Sequence, residues 1–327
     1  MLKQIKSIDL KPSMYVILPA SWSNHPFLKN RFLIENENDI TTIIKSGIRE
    51  ITIDTSKGVP VTIAESVSHG DKEIKPPARW EPERLVTDEL KEAVRDDKLP
   101  PEKKARIVYD SATVIMAKLF DDPKAKNISA AKEGIYDIVD LIISDDKTSL
   151  NLLQITSHDF YTYTHSVNVG LLSIMLSKAL FKGSDAHDMH ELGAGFFLHD
   201  IGKVKVPPEI INKPGRLTEE EMMKMRIHPY QGYKILTETN QLTQECKYIV
   251  LQHHERANGT GYPSRLTGDD IHVYGRIGCI ADVYDALTAE RSYKPSMPPF
   301  DALKLMKEQM IDHFHKELFD KFVLLFS

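Results

Sequence analysis

The stretch Gly193-Ala-Gly-Phe-Phe-Leu-His-Asp-Ile-Gly-Lys203 decides how this chain reads. An apolar helical run ends on two adjacent polar residues, His199 and Asp200, at the edge of a packed helix rather than on a solvated face. Gly202 is expected to let the chain leave the helix in a left-handed conformation. Imidazole suits zinc, iron and manganese, and a carboxylate can bridge two cations. Lys203 cannot ligate while protonated, but its ammonium can pair with a phosphate oxygen beside such ions.

The same residue types recur outward from this stretch. His165, His228, the pair His253-His254 and Asp282 all fall at expected helix ends or on helical faces. Neighbours on a helix point about 100° apart, so His253 and His254 are expected to serve separate ions of a closely spaced pair, which favours a binuclear centre. Asp282 and Asp285 share a helical face among apolar neighbours such as Ile277, Ile280 and Leu287. Asp282 is a candidate ligand, and Asp285 a candidate for a supporting role or for proton transfer.

Composition narrows the setting. The 327 residues suggest about two domains, at roughly 150 residues each. Hydrophobic residues at 41% and charged residues at 27% argue against disorder. The net charge of −5 speaks against a broad surface for a nucleic-acid polymer. Cys246 and Cys279 form no CxxC pair, which argues against a disulfide scaffold and a thiolate metal site and fits a reducing compartment. No signal-peptide stretch opens the chain and no apolar run approaches the ~18 residues of a membrane span, so a cytoplasmic protein without a membrane partner is expected.

Residues 1–65 read as a small α+β module, with strands at 14–18 and 48–53 and a helix at 39–45 closed by Gly47. Trp22, His25 and Phe27 form a local cluster that reads as core packing, with a binding surface as the alternative. Residues 66–100, with Pro76, Pro77, Pro82 and Pro100, have linker composition with one helix from Asp88 to Asp97. From Pro101, a good first helical residue, apolar positions recur at helical spacing. Asn127 reads as a cap, and helices are expected near 163–181, 186–198, 218–226, 229–239, 243–253, 276–289 and 299–312. Thr218 with Glu221 forms a capping box.

These motifs together resemble the HD-GYP phosphodiesterases, a branch of the HD superfamily of metal-dependent phosphohydrolases. The resemblance rests on five stretches in order: Tyr161 to Ser166, His199 to Lys203, His228-Pro229 with Gly232, His253 to Pro263, and Asp282 to Thr288 with Arg291, Tyr293 and Lys294. It covers roughly residues 150–312, and Leu10 to Gly58 is similar to a small domain of unknown function that often precedes such domains. The implied architecture is an α+β module followed by an all-α HD-type bundle, 101–327, built round a metal centre.

The resemblance also implies roles. The ligands would be His165, His199, a bridging Asp200, His228, His253, His254 and Asp282. Asp200, Lys203 and Asp285 would serve catalysis, while Lys203, Arg291 and Lys294 would hold phosphate and guanine groups and Tyr262 would reach toward the site or shape the loop over it. Some three-ion members carry a glutamate one turn before the first histidine; here that position is Tyr161, so two ions are expected. Iron, or alternatively manganese, is favoured over structural zinc by the absence of a cysteine ligand. Two ions of about six positions each, with eight or so filled by protein, leave room for a bridging hydroxide and substrate oxygens.

The implied reaction is hydrolysis of cyclic di-GMP to linear pGpG, in some members on to GMP; a few members prefer cyclic GMP-AMP. GGDEF-domain proteins are the implied protein partners, and the oligomeric state, a homodimer included, stays open. Two other readings compete. A phosphohydrolase for another nucleotide fits the Gly-Thr-Gly-Tyr-Pro loop less well. A non-hydrolysing receptor or interaction module would be expected to have lost ligands that are all present here.

Overall fold

A computed structural model describes residues 2–17, 31–34, 36–45, 50–55, 57, 85–155, 162–213, 215–289 and 296–326. The Trp22, His25 and Phe27 cluster lies outside them. The chain forms two compact units, Met1–Glu83 and Arg84–Ser327.

The first unit holds a four-stranded antiparallel sheet in the order β1-β4-β2-β3. Its strands are β1 (Leu2–Lys6), β2 (Tyr15–Ile17), β3 (Arg31–Leu33) and β4 (Glu50–Asp54), and helix α1 spans Glu37–Lys45. Val16, Ile51 and Ile53 of the sheet and Ile43 of α1 share one core with Leu10, Met14 and Ile34. The two strands and the helix expected from sequence are present. β1 and β3 complete the sheet, with Ile5 opposite Ile51 and Val16 opposite Phe32.

The second unit is helical. Its elements are α2 (Asp88–Arg95), α3 (Pro101–Asp121), α4 (Ala125–Ser144), α5 (Asp146–Ile155), α6 (Thr162–Leu180) and α7 (Met189–Leu198). There follow α8 (Pro208–Ile211), α9 (Glu219–Met225), α10 (His228–Glu238), α11 (Gln244–Gln252), α12 (Val273–Thr288), α13 (Pro299–Gln309) and α14 (Lys316–Val323). Among the described residues no helix is long and apolar enough to cross a membrane.

Helix α6 is the axis of this unit. Every residue from Thr162 to Ser177 is buried, so the helix has no solvated face and is surrounded by α3, α7 and α12. His165 is therefore fixed deep in the bundle. The box at Thr218 and Glu221 forms as expected, each side chain accepting from the other's backbone.

Three expectations are corrected. Residues 85–100 are more than a spacer, since α2 places Leu90, with Val86 before it, in the main helical core. Asn127 is not a cap: α4 begins at Ala125, and the Asn127 amide donates back to Asp122 O at 2.8 Å, tying the α3–α4 turn. Gly202 is not left-handed. Its lack of a side chain serves close packing, because a Cβ there would lie 1.9 Å from His228 O and 2.4 Å from Gly232 N. The glycine lets the 3-10 turn Ile201–Lys205 press onto α10 and so brings His228 up to Asp200.

Candidate metal centre

Five helices deliver the expected ligands to one place. His165 comes from α6, His199 and Asp200 from the end of α7, His228 from the first position of α10, His253 and His254 from the end of α11, and Asp282 from α12. Their donor atoms converge in two groups: Asp200, His228, His253 and His254 in one, and His165, His199 and Asp282 in the other. The two adjacent histidines thus share a group rather than dividing between two. His254 also turns its Nδ1 to Asp282 of the second group at 3.2 Å, and the two rings lie 4.2 Å apart between centroids.

Both carboxylates span the groups. Asp200 turns Oδ1 toward His228 Nε2 at 3.1 Å and Oδ2 toward His199 Nε2 at 3.4 Å and His165 Nε2 at 3.5 Å. Asp282 sets Oδ1 at 3.0 Å from His165 Nε2 and Oδ2 at 3.2 Å from His254 Nδ1. Burial pushes the Asp200 carboxyl up, but the Lys203 ammonium beside it outweighs that and holds it well below the usual range. Burial likewise opposes ionisation of Asp282 and is overcome, here by His254 and His165.

The imidazoles are held with their lone pairs inward. His199 gives its Nδ1 hydrogen to Phe196 O at 2.7 Å and His228 gives its own to Met225 O at 2.8 Å. His253 Nδ1 lies 3.1 and 3.0 Å from the carbonyls of Ile249 and Val250. Each therefore presents a bare Nε2 to the centre. Burial holds His228 down at about 4 and His253 well below its ordinary value, so both rings are neutral. His165 differs: burial lowers it, but its bonds to Asp282 and Asp285 prevail and lift it to about 9. In the absence of a cation a proton occupies its Nε2 side.

This donor set fits divalent cations. Among the described residues His199 Nε2 and Asp200 Oδ1 are buried without a hydrogen-bond partner. Such orphaned atoms carry a desolvation cost of about 1–3 kcal/mol each, which coordination would remove. The donors are all nitrogen and oxygen; Cys246 and Cys279 are buried elsewhere in the core.

Supporting groups surround the ligands. Asp285, 1% exposed, accepts from His165 Nδ1 at 2.7 Å through Oδ2 and from Asn168 Nδ2 at 2.7 Å through Oδ1. Both oxygens are thus turned to protein groups, which favours an orienting role over proton transfer. Lys203 donates to Asp200 Oδ2. The Tyr262 ring lies 4.6 Å from that of His254, and the Arg226 guanidinium lies over it at 5.5 Å from its centroid. Burial, with Asp282 and Asp200 nearby, keeps the Tyr262 phenol well above its ordinary value and neutral. Glu255, itself buried, clasps the loop that carries Tyr262 by accepting from the amides of Ser264 and Leu266.

Sequence reasoning missed Asn168, Arg226 and Glu255. Glu255 had a signal: an acidic residue directly before a glycine-rich loop whose amides need acceptors. Tyr161, Arg291 and Lys294 lie outside the described residues.

Comparison with known proteins bears on this arrangement. Residues 148–318 match the HD domain family, and residues 2–133 match a domain of unknown function, DUF3391. A cyclic di-GMP phosphodiesterase of Pseudomonas aeruginosa is 33% identical over 329 residues, covering 99% of this chain and 76% of the relative. A 3'3'-cGAMP-specific phosphodiesterase of Vibrio cholerae is 36% identical over 194 residues, 59% of this chain and 37% of the relative. An HDG"Y"P protein from Bdellovibrio bacteriovorus superimposes with a TM-score of 0.64 over 100% of both chains at 18% identity, a likeness of fold. Fold and site define a metal-dependent phosphohydrolase. The chain belongs to the HD domain family.

Proposed function

We propose that this protein hydrolyses cyclic di-GMP to linear pGpG, and onward to GMP where the linear product rebinds, using two divalent ions held by His165, His199, Asp200, His228, His253, His254 and Asp282. The observation that carries this reading is that Asp200 and Asp282 each turn one oxygen to each of two ligand groups. The substrate class follows from the P. aeruginosa relative, which covers nearly the whole chain. The V. cholerae relative supports cyclic GMP-AMP as a second substrate.

When bound, the ions supply a water acidified toward hydroxide and positive charge against the phosphate oxygens. The chain's own groups do the rest. The neutral His228 and His253 and the ionised Asp200 and Asp282 offer donors without first losing a proton, whereas His165 would have to give one up. Lys203, paired with Asp200, sets an ammonium at the edge of the two ligand groups, where it would pair with a phosphate oxygen. Tyr262 forms a neutral wall with a hydroxyl donor, and Asp285 holds His165 in orientation. The nitrogen and oxygen donors favour iron or manganese. Arg291 and Lys294 are proposed as phosphate and guanine contacts, the cytoplasm as the setting, and GGDEF-domain proteins as partners.

The test is metal analysis of anaerobically purified protein alongside product chromatography with cyclic di-GMP. Two ions per chain and metal-dependent appearance of pGpG are expected. Tight binding of intact cyclic di-GMP without turnover in metal-loaded protein would support a receptor instead.

A further inference from the structure

We propose that Tyr109 is a positioning residue for the metal centre, acting through Asn168 and Asp285 on His165; the inference rests on the two-ion reading above. Tyr109 lies on α3, outside the residues that match the HD domain and inside those that match the other domain. Its hydroxyl donates to Asn168 Oδ1 at 2.9 Å. Asn168 Nδ2 donates to Asp285 Oδ1 at 2.7 Å, and Asp285 Oδ2 accepts from His165 Nδ1 at 2.7 Å.

The chemistry of each link gives the chain a direction. An asparagine amide has one donating end and one accepting end. By donating to the accepting end, Tyr109 points the NH2 at Asp285; the opposite orientation would set a carbonyl against a carboxylate. Asp285, gripped through Oδ1, is then held for His165 through Oδ2. With its Nδ1 hydrogen committed there, His165 can offer only Nε2 to the centre, where Asp282 and Asp200 wait at 3.0 and 3.5 Å. Asn168 and Asp285 are each 1% exposed, which denies water free access to replace a missing donor. Helix α3 packs against α6, so the hydroxyl is delivered by a rigid element. The orientation of a ligand thus depends on a helix beyond the HD match.

The test uses the full chain and Mn²⁺ as the sole ligand. Tyr109→Phe is expected to weaken Mn²⁺ binding by about 10-fold, the lower end of what outer partners of a metal centre contribute. Tyr136→Phe is the control. Tyr136 likewise gives its hydroxyl to a side-chain oxygen, that of Glu191, but in a cluster outside both ligand groups. The two variants are expected to lower the unfolding midpoint of the metal-free protein alike, with Mn²⁺ affinity falling only in Tyr109→Phe. In an Asn168→Ala background, Tyr109→Phe is expected to cause no further loss, because its route is gone. Wild-type affinity in Tyr109→Phe, an equal loss in Tyr136→Phe, or losses that multiply fully with Asn168→Ala would each overturn the inference. A wild-type chain that bound no Mn²⁺ would overturn the two-ion reading as well, whereas firm wild-type binding with an unaffected Tyr109→Phe would overturn this inference alone.

Discussion

His228 and His253 turn their Nε2 atoms toward each other across 3.2 Å, while each Nδ1 faces a backbone carbonyl. Two nitrogen lone pairs at that distance repel unless a positive charge lies between or beside them. Burial keeps both rings neutral, so a proton is a poor solution and a cation a good one.

The metal-free protein should therefore be markedly less stable than the loaded one. Adding Mn²⁺ at about 100 times its dissociation constant is expected to stabilise the fold by about 2.7 kcal/mol. Thermal unfolding with and without a chelator measures it. An unchanged midpoint would mean that the inward-facing nitrogens hold no ion.

Asp200→Asn keeps the shape of the side chain but removes the charge shared by both ligand groups. Loss of most bound metal and of turnover is expected, well beyond the 10–100-fold typical of an outer partner. Metal content by elemental analysis is the readout, with circular dichroism to confirm the helical fold. Full metal content would show that Asp200 is not the shared ligand.

Gly202→Ala tests the contact that seats His228. The added methyl meets backbone atoms, which cannot swing away as a side-chain tip can. A destabilisation of about 3 kcal/mol, the upper part of the range for overpacking, is expected. Metal affinity should fall with it, since separating the turn from α10 moves His228 away from Asp200. A variant that kept both stability and affinity would show that the close approach is dispensable.

Glu191 supports a pH prediction away from the centre. It bonds Lys132 Nζ at 2.7 Å and also accepts from Tyr136 and Thr243. Burial raises its carboxyl, but Lys132 and Tyr136 outweigh that and hold it below its ordinary value of 4.5. A group with a depressed folded pKa contributes stability that is fully present above its unfolded pKa and lost as pH falls through the folded one. Wild-type stability should thus decline as pH drops below that ordinary carboxylate value. Glu191→Gln should cost about 3 kcal/mol at neutral pH and flatten the acid limb. An acid limb as steep as wild type would assign the sensitivity to other carboxylates.

The candidate ligands were legible because histidine and aspartate at helix ends in an otherwise apolar setting are conspicuous residue types. All seven come together in the two groups. What surrounds them was less legible. Asn168, Tyr109 and Glu255 are ordinary residues whose importance depends on what the fold sets beside them. His253 and His254 fall in one group, and that His254 also faces Asp282 of the other depends on α11 meeting α12, which no local spacing encodes. Gly202 was assigned a backbone conformation when its purpose lies in the helix that crosses it. In the first unit, β2 and β4 are visible as apolar runs, whereas β1 carries lysines and β3 turns only Phe32 partly inward between two exposed residues.

Anyone wishing to retune this centre will find its freedom unevenly distributed. Because α6 is enclosed on every side, a change near His165 is a change to the core, and ligand geometry there cannot be adjusted without repacking the domain. The ends of α10 and α11 offer more latitude: Arg226 just before His228 is exposed, and His254 is itself partly exposed. Variation in metal preference or substrate shape has its room at that rim, while the His165 side acts as the fixed jaw of a vice.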